Sequence, residues 1–87
     1  MSAWCVYMVL CADGSLYTGI ATDAVRRVAE HNDDDRLAAR YTRARRPVVL
    51  VYRESCGDRA AAARREHAIK HLARRDKLAL IDQCRLG

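Results

Sequence analysis

The sequence predicts a small α/β (α+β) domain: a three-stranded antiparallel sheet with flanking helices, in the order β-β-α-β-α-α. Three observations predict it. An apolar run, Val6-Tyr7-Met8-Val9-Leu10-Cys11, is followed by Ala12-Asp13-Gly14 and a second run from Leu16 to Ile20, the pattern of a β-hairpin. Val48-Val49-Leu50-Val51-Tyr52, directly after Pro47, is the strongest strand signal in the chain. Helical spacing begins at Asp23, at Asp58 and near Arg74.

The hairpin turn decides which side chains share a face. A two-residue Asp13-Gly14 loop would set Leu10 against Tyr17 and send Tyr7 and Tyr17 to opposite faces. A three-residue Ala12-Asp13-Gly14 loop, with Gly14 in the left-handed position of a bulge, pairs Cys11 with Ser15 and puts Tyr7 opposite Gly19. Tyr7, Val9, Tyr17 and Gly19 then lie on one face, and Val6, Met8, Leu10, Leu16 and Ile20 on the other. The second register is preferred because it separates a polar face from an apolar one that a helix must cover.

Thr22 or Asp23 caps the first helix, with Ala24, Val25 and Val28 as its apolar stripe and Arg27 and His31 together on another face. It should stop near Asn32, where Asp33, Asp34 and Asp35 bring like charges to its negative end. Arg36 to Arg46 has no clear period and reads as an exposed basic loop with at most one helical turn. After the Val48–Tyr52 strand, Asp58 starts a helix to about Leu72, with Ala61, Ala68 and Leu72 on its apolar side. A last helix, about Arg74 to Cys84, carries Leu78 and Ile81 toward the core.

Bulk properties narrow the classes. Eighty-seven residues with 51% hydrophobic content make one domain, residues 1–87, with a single core. Cys5, Cys11, Cys56 and Cys84 form no C-x-x-C pair and have no histidine at zinc spacing, which argues against a disulfide framework or a zinc finger. His67 and His71 are four apart but lack a third ligand, so a zinc site is disfavoured too. Without a leader or an apolar run of membrane length, the expectation is a reduced, cytoplasmic protein and no membrane partner. The net charge of +5 rests on sixteen basic residues of which only Lys70 and Lys77 are lysine. Arginine's planar fork suits phosphate, although a high-GC genome, which favours arginine codons over lysine, would give the same bias.

On pattern alone, Tyr7 and Tyr17 are ordinary strand aromatics and Glu66 a solvated helix residue. In order along the chain, however, the residues resemble the GIY-YIG nuclease domain, and in particular its small stand-alone bacterial members. Cys5-Val6-Tyr7 corresponds to the first signature tripeptide and Tyr17-Thr18-Gly19 to the second. Arg27 falls eight residues after Gly19, where the family has its catalytic arginine, and His31 follows one turn later. Tyr41-Thr42-Arg43 with Arg45-Arg46-Pro47 resembles the stand-alone members' basic loop, and Arg65-Glu66-His67 puts Glu66 at the single metal-binding glutamate. Cys5 replaces a glycine, Thr18 an isoleucine, and no glycine links the first helix to Tyr41.

The resemblance implies a metal-dependent DNA endonuclease that hydrolyses phosphodiester bonds, with a structure-specific role in DNA repair or recombination. Its catalytic set would be Tyr7, Tyr17, Arg27, His31 and Glu66, with Mg2+, or Mn2+ in its place, on Glu66. Magnesium keeps most of its waters, so one carboxylate suffices. A free phenol, with a pKa near 10, is a poor base at neutral pH until a neighbouring arginine and the cation assist it. Tyr7 is taken as that base and Tyr17 as the residue that positions the water or a phosphate oxygen. Arg27 would grip the scissile phosphate, and His31 would assist the base or bond a tyrosine hydroxyl. Gly19, lacking a side chain, would admit a nucleic-acid backbone. Arg40, Arg43, Arg45 and Arg46 would contact phosphates, and Tyr41 would stack on an unpaired base. The competing class is a DNA- or RNA-binding module that retains the site's shape with little or no cleavage.

Overall fold

The computed structural model describes residues 3–86, with side chains through Gln83; the side chain of Cys84 lies outside the described residues. Seven elements follow one another: β1 (Cys5–Leu10), β2 (Leu16–Ala21), α1 (Ala24–Asp33), α2 (Arg40–Arg43), β3 (Val49–Ser55), α3 (Arg59–Lys70) and α4 (Arg74–Leu86). The strands form one antiparallel sheet in the order β2-β1-β3. The one helical turn allowed in the basic loop is α2.

The hairpin has the three-residue loop. Gly14 has φ of 86°, Gly14 N–H donates to Cys11 O at 2.9 Å, Cys11 N–H donates to Ser15 O at 2.8 Å, and Tyr7 sits opposite Gly19. Asp13 accepts from the Ser15 backbone N–H and hydroxyl, which closes the turn from outside and holds its carboxyl below the usual range.

Because β1 is central, it needs cover on both sides, and here the expected division into an apolar and a polar face does not hold. Cys5, Tyr7, Val9 and Cys11 pack with Ala21, Ala24 and Val48 in one cluster. Val6 and Met8 pack with Tyr52, Ile69 and Ile81 in the other. The tyrosine face is therefore the underside of α1, and Tyr7 is 1% exposed.

The helices start where their caps predict. Asp23 accepts from Arg26 N–H at 3.0 Å and Asp58 from Ala61 N–H at 2.7 Å. Their phases differ from expectation. Val25 is exposed, and the buried side of α1 runs from Ala24 to His31. On α3 the buried residues are Ala62 and Ile69, while Ala68 is exposed, because a run of alanines carries no phase and the larger isoleucine sets it. On α4, Ile81 is buried and Leu78 remains 40% exposed. Asn32, at the end of α1, binds the start of the third strand with both ends of its amide, Nδ2–H to Val48 O at 2.9 Å and Oδ1 from Val48 N–H at 2.7 Å. That clasp fixes α1 against the sheet. Cys5, Cys11 and Cys56 are free thiols.

Candidate active site

Tyr7 rises from the central strand into the space that Gly19 leaves. A Cβ built on Gly19 would stand 2.6 Å from the Tyr7 hydroxyl oxygen and 2.8 Å from Cζ. The glycine thus makes room for the phenol of its cross-strand neighbour.

His31 meets this phenol from α1. Its Nε2 lies 2.8 Å from Tyr7 Oη, and its Nδ1 lies 2.8 Å from Thr42 Oγ1 and 3.2 Å from Ala39 N. A backbone N–H can only donate, so Nδ1 is the acceptor, and a neutral ring carries its proton on Nε2. Nε2–H therefore donates to Tyr7 Oη. Burial pushes the His31 pKa down to about 4, and the Arg27 and Arg46 guanidiniums act in the same direction, so the ring is neutral at pH 7. Thr42, wholly buried, is a site residue that sequence reasoning missed; its single hydroxyl proton lies between two acceptors, His31 Nδ1 and, at 2.9 Å, Ala39 O. Its signal was slight: one aliphatic hydroxyl inside an arginine-rich loop.

Arg27, Tyr17 and Glu66 complete the constellation, from α1, β2 and α3. Burial raises the Tyr7 pKa well above that of a free phenol, with Tyr17 adding to the rise; Arg27, within hydrogen-bonding reach, opposes it, and Glu66 adds to it. Burial likewise raises Tyr17, with Arg27 opposing and Glu66 reinforcing. Both phenols therefore feel the same cation and the same carboxylate. Arg27 is held by Nη1, which donates to Glu30 at 3.0 Å and to Leu37 O at 2.6 Å. Glu66 pairs with Lys70 at 3.6 Å, whereas Arg65 turns to Glu54 at 2.6 Å.

Tyr17 is held by rings. It meets His31 edge-on, centroids 5.5 Å apart, and stacks on Tyr41 at 5.8 Å and 25°. The Arg45 guanidinium lies 3.8 Å over the Tyr41 ring, and its Nε donates to Asp13 at 3.0 Å. Tyr41 is thus engaged within the protein by Tyr17 and Arg45, so a nucleobase would have to displace one of them. The other loop arginines divide as well. Arg46 turns inward, donating to His31 O at 2.6 Å and to Asp35 at 2.7 Å, and Arg43 donates to Asp35 O at 2.8 Å. Arg40 is exposed, with no side-chain partner among the described residues.

The donor set fits a hard, mostly hydrated cation: one half-buried carboxylate beside phenols, and no group of three or more potential His, Cys, Asp or Glu ligands among the described residues. Such a set does not suit zinc, which takes several nitrogen or sulfur donors. No helix among the described residues is long and apolar enough to cross a membrane.

The chain is similar to several known proteins. A UPF0213 protein of Desulfotalea psychrophila is 55% identical over 98% of this chain and 76% of its own length. A UPF0213 protein of Halobacterium salinarum is 52% identical over 86% of this chain and 95% of its own length. The solution NMR structure of the UPF0213 protein BH0048 from Bacillus halodurans superposes with a TM-score of 0.58 at 40% identity, covering 92% of this chain and 83% of that one. With residues 3–79 also matching the model of the GIY-YIG catalytic domain, this chain belongs to the GIY-YIG family of nucleases.

Proposed function

We propose that the chain is a metal-dependent endonuclease that hydrolyses phosphodiester bonds in DNA, with Tyr7, Tyr17, Arg27 and Glu66 as catalytic residues and His31 as the partner of Tyr7. The observation that carries this reading is that the phenols of Tyr7 and Tyr17, from neighbouring strands, have Arg27 and Glu66 as shared charged neighbours, with the Tyr7 hydroxyl fixed 2.8 Å from His31 Nε2. Glu66 would hold Mg2+ or Mn2+, and the cation would supply positive charge beside the phosphate. The protein's own groups do the rest. Arg27 offers the phosphate the part of its fork not engaged by Glu30 and Leu37. Tyr7, as the phenolate held by the Nε2–H of His31 and by Arg27, takes the proton of the attacking water and becomes the phenol. Tyr17, more exposed than Tyr7, orients the water or a phosphate oxygen. The free thiols of Cys5, Cys11 and Cys56 suit a reducing cytoplasm.

The second reading, a DNA- or RNA-binding module with little turnover, draws on a different observation: Arg27 and Glu66 both already have ion-pair partners in Glu30 and Lys70. One experiment separates them. The purified protein is incubated with single-stranded, duplex, flap and branched DNAs, the last two being repair and recombination intermediates, and with matching RNAs, in magnesium, manganese or EDTA. The nuclease reading expects cleavage of at least one DNA in metal and none in EDTA. Tight binding without cleavage across the panel selects the binding module.

A further inference from the structure

Beside Arg27, on the side away from the basic loop, lies a depression of about 200 Å3 lined by Trp4, Ile20, Ala21, Thr22, Asp23, Arg26, Arg27 and Glu30. Trp4 is the chain's single tryptophan. It is not a frayed end: Cys56 N–H donates to its carbonyl at 2.9 Å, and the next residue, Cys5, pairs with both Ala21 and Ser55. The Arg59 guanidinium lies 5.7 Å from the indole centroid and is not part of the depression's lining. Arg59, whose guanidinium reaches the indole, and Glu66 are seven residues apart on α3, two turns along one face.

The juxtaposition has a chemical meaning. A flat aromatic wall, exposed guanidinium groups and a shallow volume below the range of about 300–1,000 Å3 that encloses a drug-sized ligand suit one stacked ring system attached to a phosphate chain. A paired base presents its faces to its neighbours in the duplex, so only an unpaired or splayed base can lie against the indole.

We infer that Trp4 is the stacking platform for an unpaired nucleobase adjacent to the scissile phosphate, with Arg26 and Arg59 contacting the flanking phosphates and Arg27 joining this subsite to the catalytic centre. The inference rests on the nuclease reading and deepens it by naming the substrate class: a strand single-stranded next to the cleavage point, as in a flap or a gap.

The single tryptophan gives the test its signal. In EDTA, the intact protein is titrated with a short labelled single-stranded DNA, and with the same strand carrying abasic sites in place of its bases, while label anisotropy and tryptophan emission are followed together. The expected result is saturable quenching by the base-bearing strand, with the midpoint of the anisotropy curve, and little quenching when the abasic strand binds. Trp4→Phe, which keeps a ring, should bind within a few-fold of the parent, and Trp4→Ala roughly 5- to 150-fold more weakly. Thermal unfolding of both variants reports any loss of fold separately, and the quenching measurement needs neither variant. Binding without a change in emission, or equal quenching by the abasic strand, overturns the subsite and leaves the nuclease reading standing. If no nucleic acid binds at all, the nuclease reading falls and the subsite with it.

Discussion

The hydroxyl of Tyr7 and Nε2 of His31 stand 2.8 Å apart, and the backbone N–H of Ala39 on the far side of the ring makes His31 the donor. A donor cannot also take the phenol's proton. His31 thus favours the phenolate of Tyr7 without being a base itself, while burial, which raises the Tyr7 pKa, works against that phenolate.

The pH dependence of cleavage follows from that opposition. A base must be deprotonated to act, and below its pKa the deprotonated fraction rises tenfold per pH unit. If Tyr7 is the base, log kcat/KM should climb with a slope near one from neutral pH into the alkaline range, without a plateau near pH 7. A plateau there in a pH-rate profile would assign the base to another group. Tyr7→Phe should abolish the climb, whereas Tyr17→Phe should lower the rate and keep its shape.

Stability should respond to pH through His31. Its folded pKa of about 4 lies below the unfolded value near 6.5, so between those values the unfolded chain binds more protons and stability falls as pH falls. Denaturant melts should show a loss on the order of 2 kcal/mol from pH 7 to pH 5 attributable to this residue. In His31→Asn that contribution should vanish, leaving a flatter profile on a less stable protein; an unchanged slope would sink the assignment.

Gly19 is predicted to be intolerant of any side chain. Alanine there would put Cβ 2.6 Å from the Tyr7 hydroxyl oxygen, inside a packed layer. Gly19→Ala should cost on the order of 1–3 kcal/mol in chemical denaturation and depress cleavage by displacing the phenol. Gly14→Ala, which meets open space but sits at φ of 86°, should affect stability alone.

Two substitutions separate catalysis from binding. Glu66→Ala removes the carboxylate assigned to the cation and leaves the best helix former in α3. Arg27→Lys keeps the charge and loses the fork. Both should bind DNA about as well as the parent and cut it at least ~100-fold more slowly, the scale of losing one such electrostatic group. Equal losses of binding and cleavage would place these residues in ground-state recognition instead.

The loop arginines should divide by experiment as they do in space. Arg40→Gln should flatten the log-log salt dependence of DNA binding by roughly 0.7 to 0.9, one phosphate contact. Arg46→Gln strands the His31 carbonyl and Asp35, so its effect should appear mainly as lost stability. A salt titration beside a denaturant melt on each variant distinguishes the two.

Local patterns determined the element order, the helix starts and the hairpin register. Asp23 and Asp58 are strong caps, and Asp13-Gly14 beside two apolar runs allows few turns, so neighbouring residues were enough. The catalytic candidates were legible as an ordered set of residues through their resemblance to a family. Tertiary structure alone decided what each of them touches. It buried both faces of β1, because a central strand in a small domain has helices on either side, and this turned the expected polar face into a layer with Tyr7 inside it. It replaced Val25 with His31 on the buried side of α1, since Tyr7, Thr42 and Ala39 satisfy the imidazole there and no local period records those partners. It also drew Arg46 inward and set Arg45 over Tyr41, because Asp35, the His31 carbonyl and Asp13 reach them from other parts of the chain. Charge and spacing mark a residue as able to bind phosphate; only the fold determines whether a partner within the protein already occupies it.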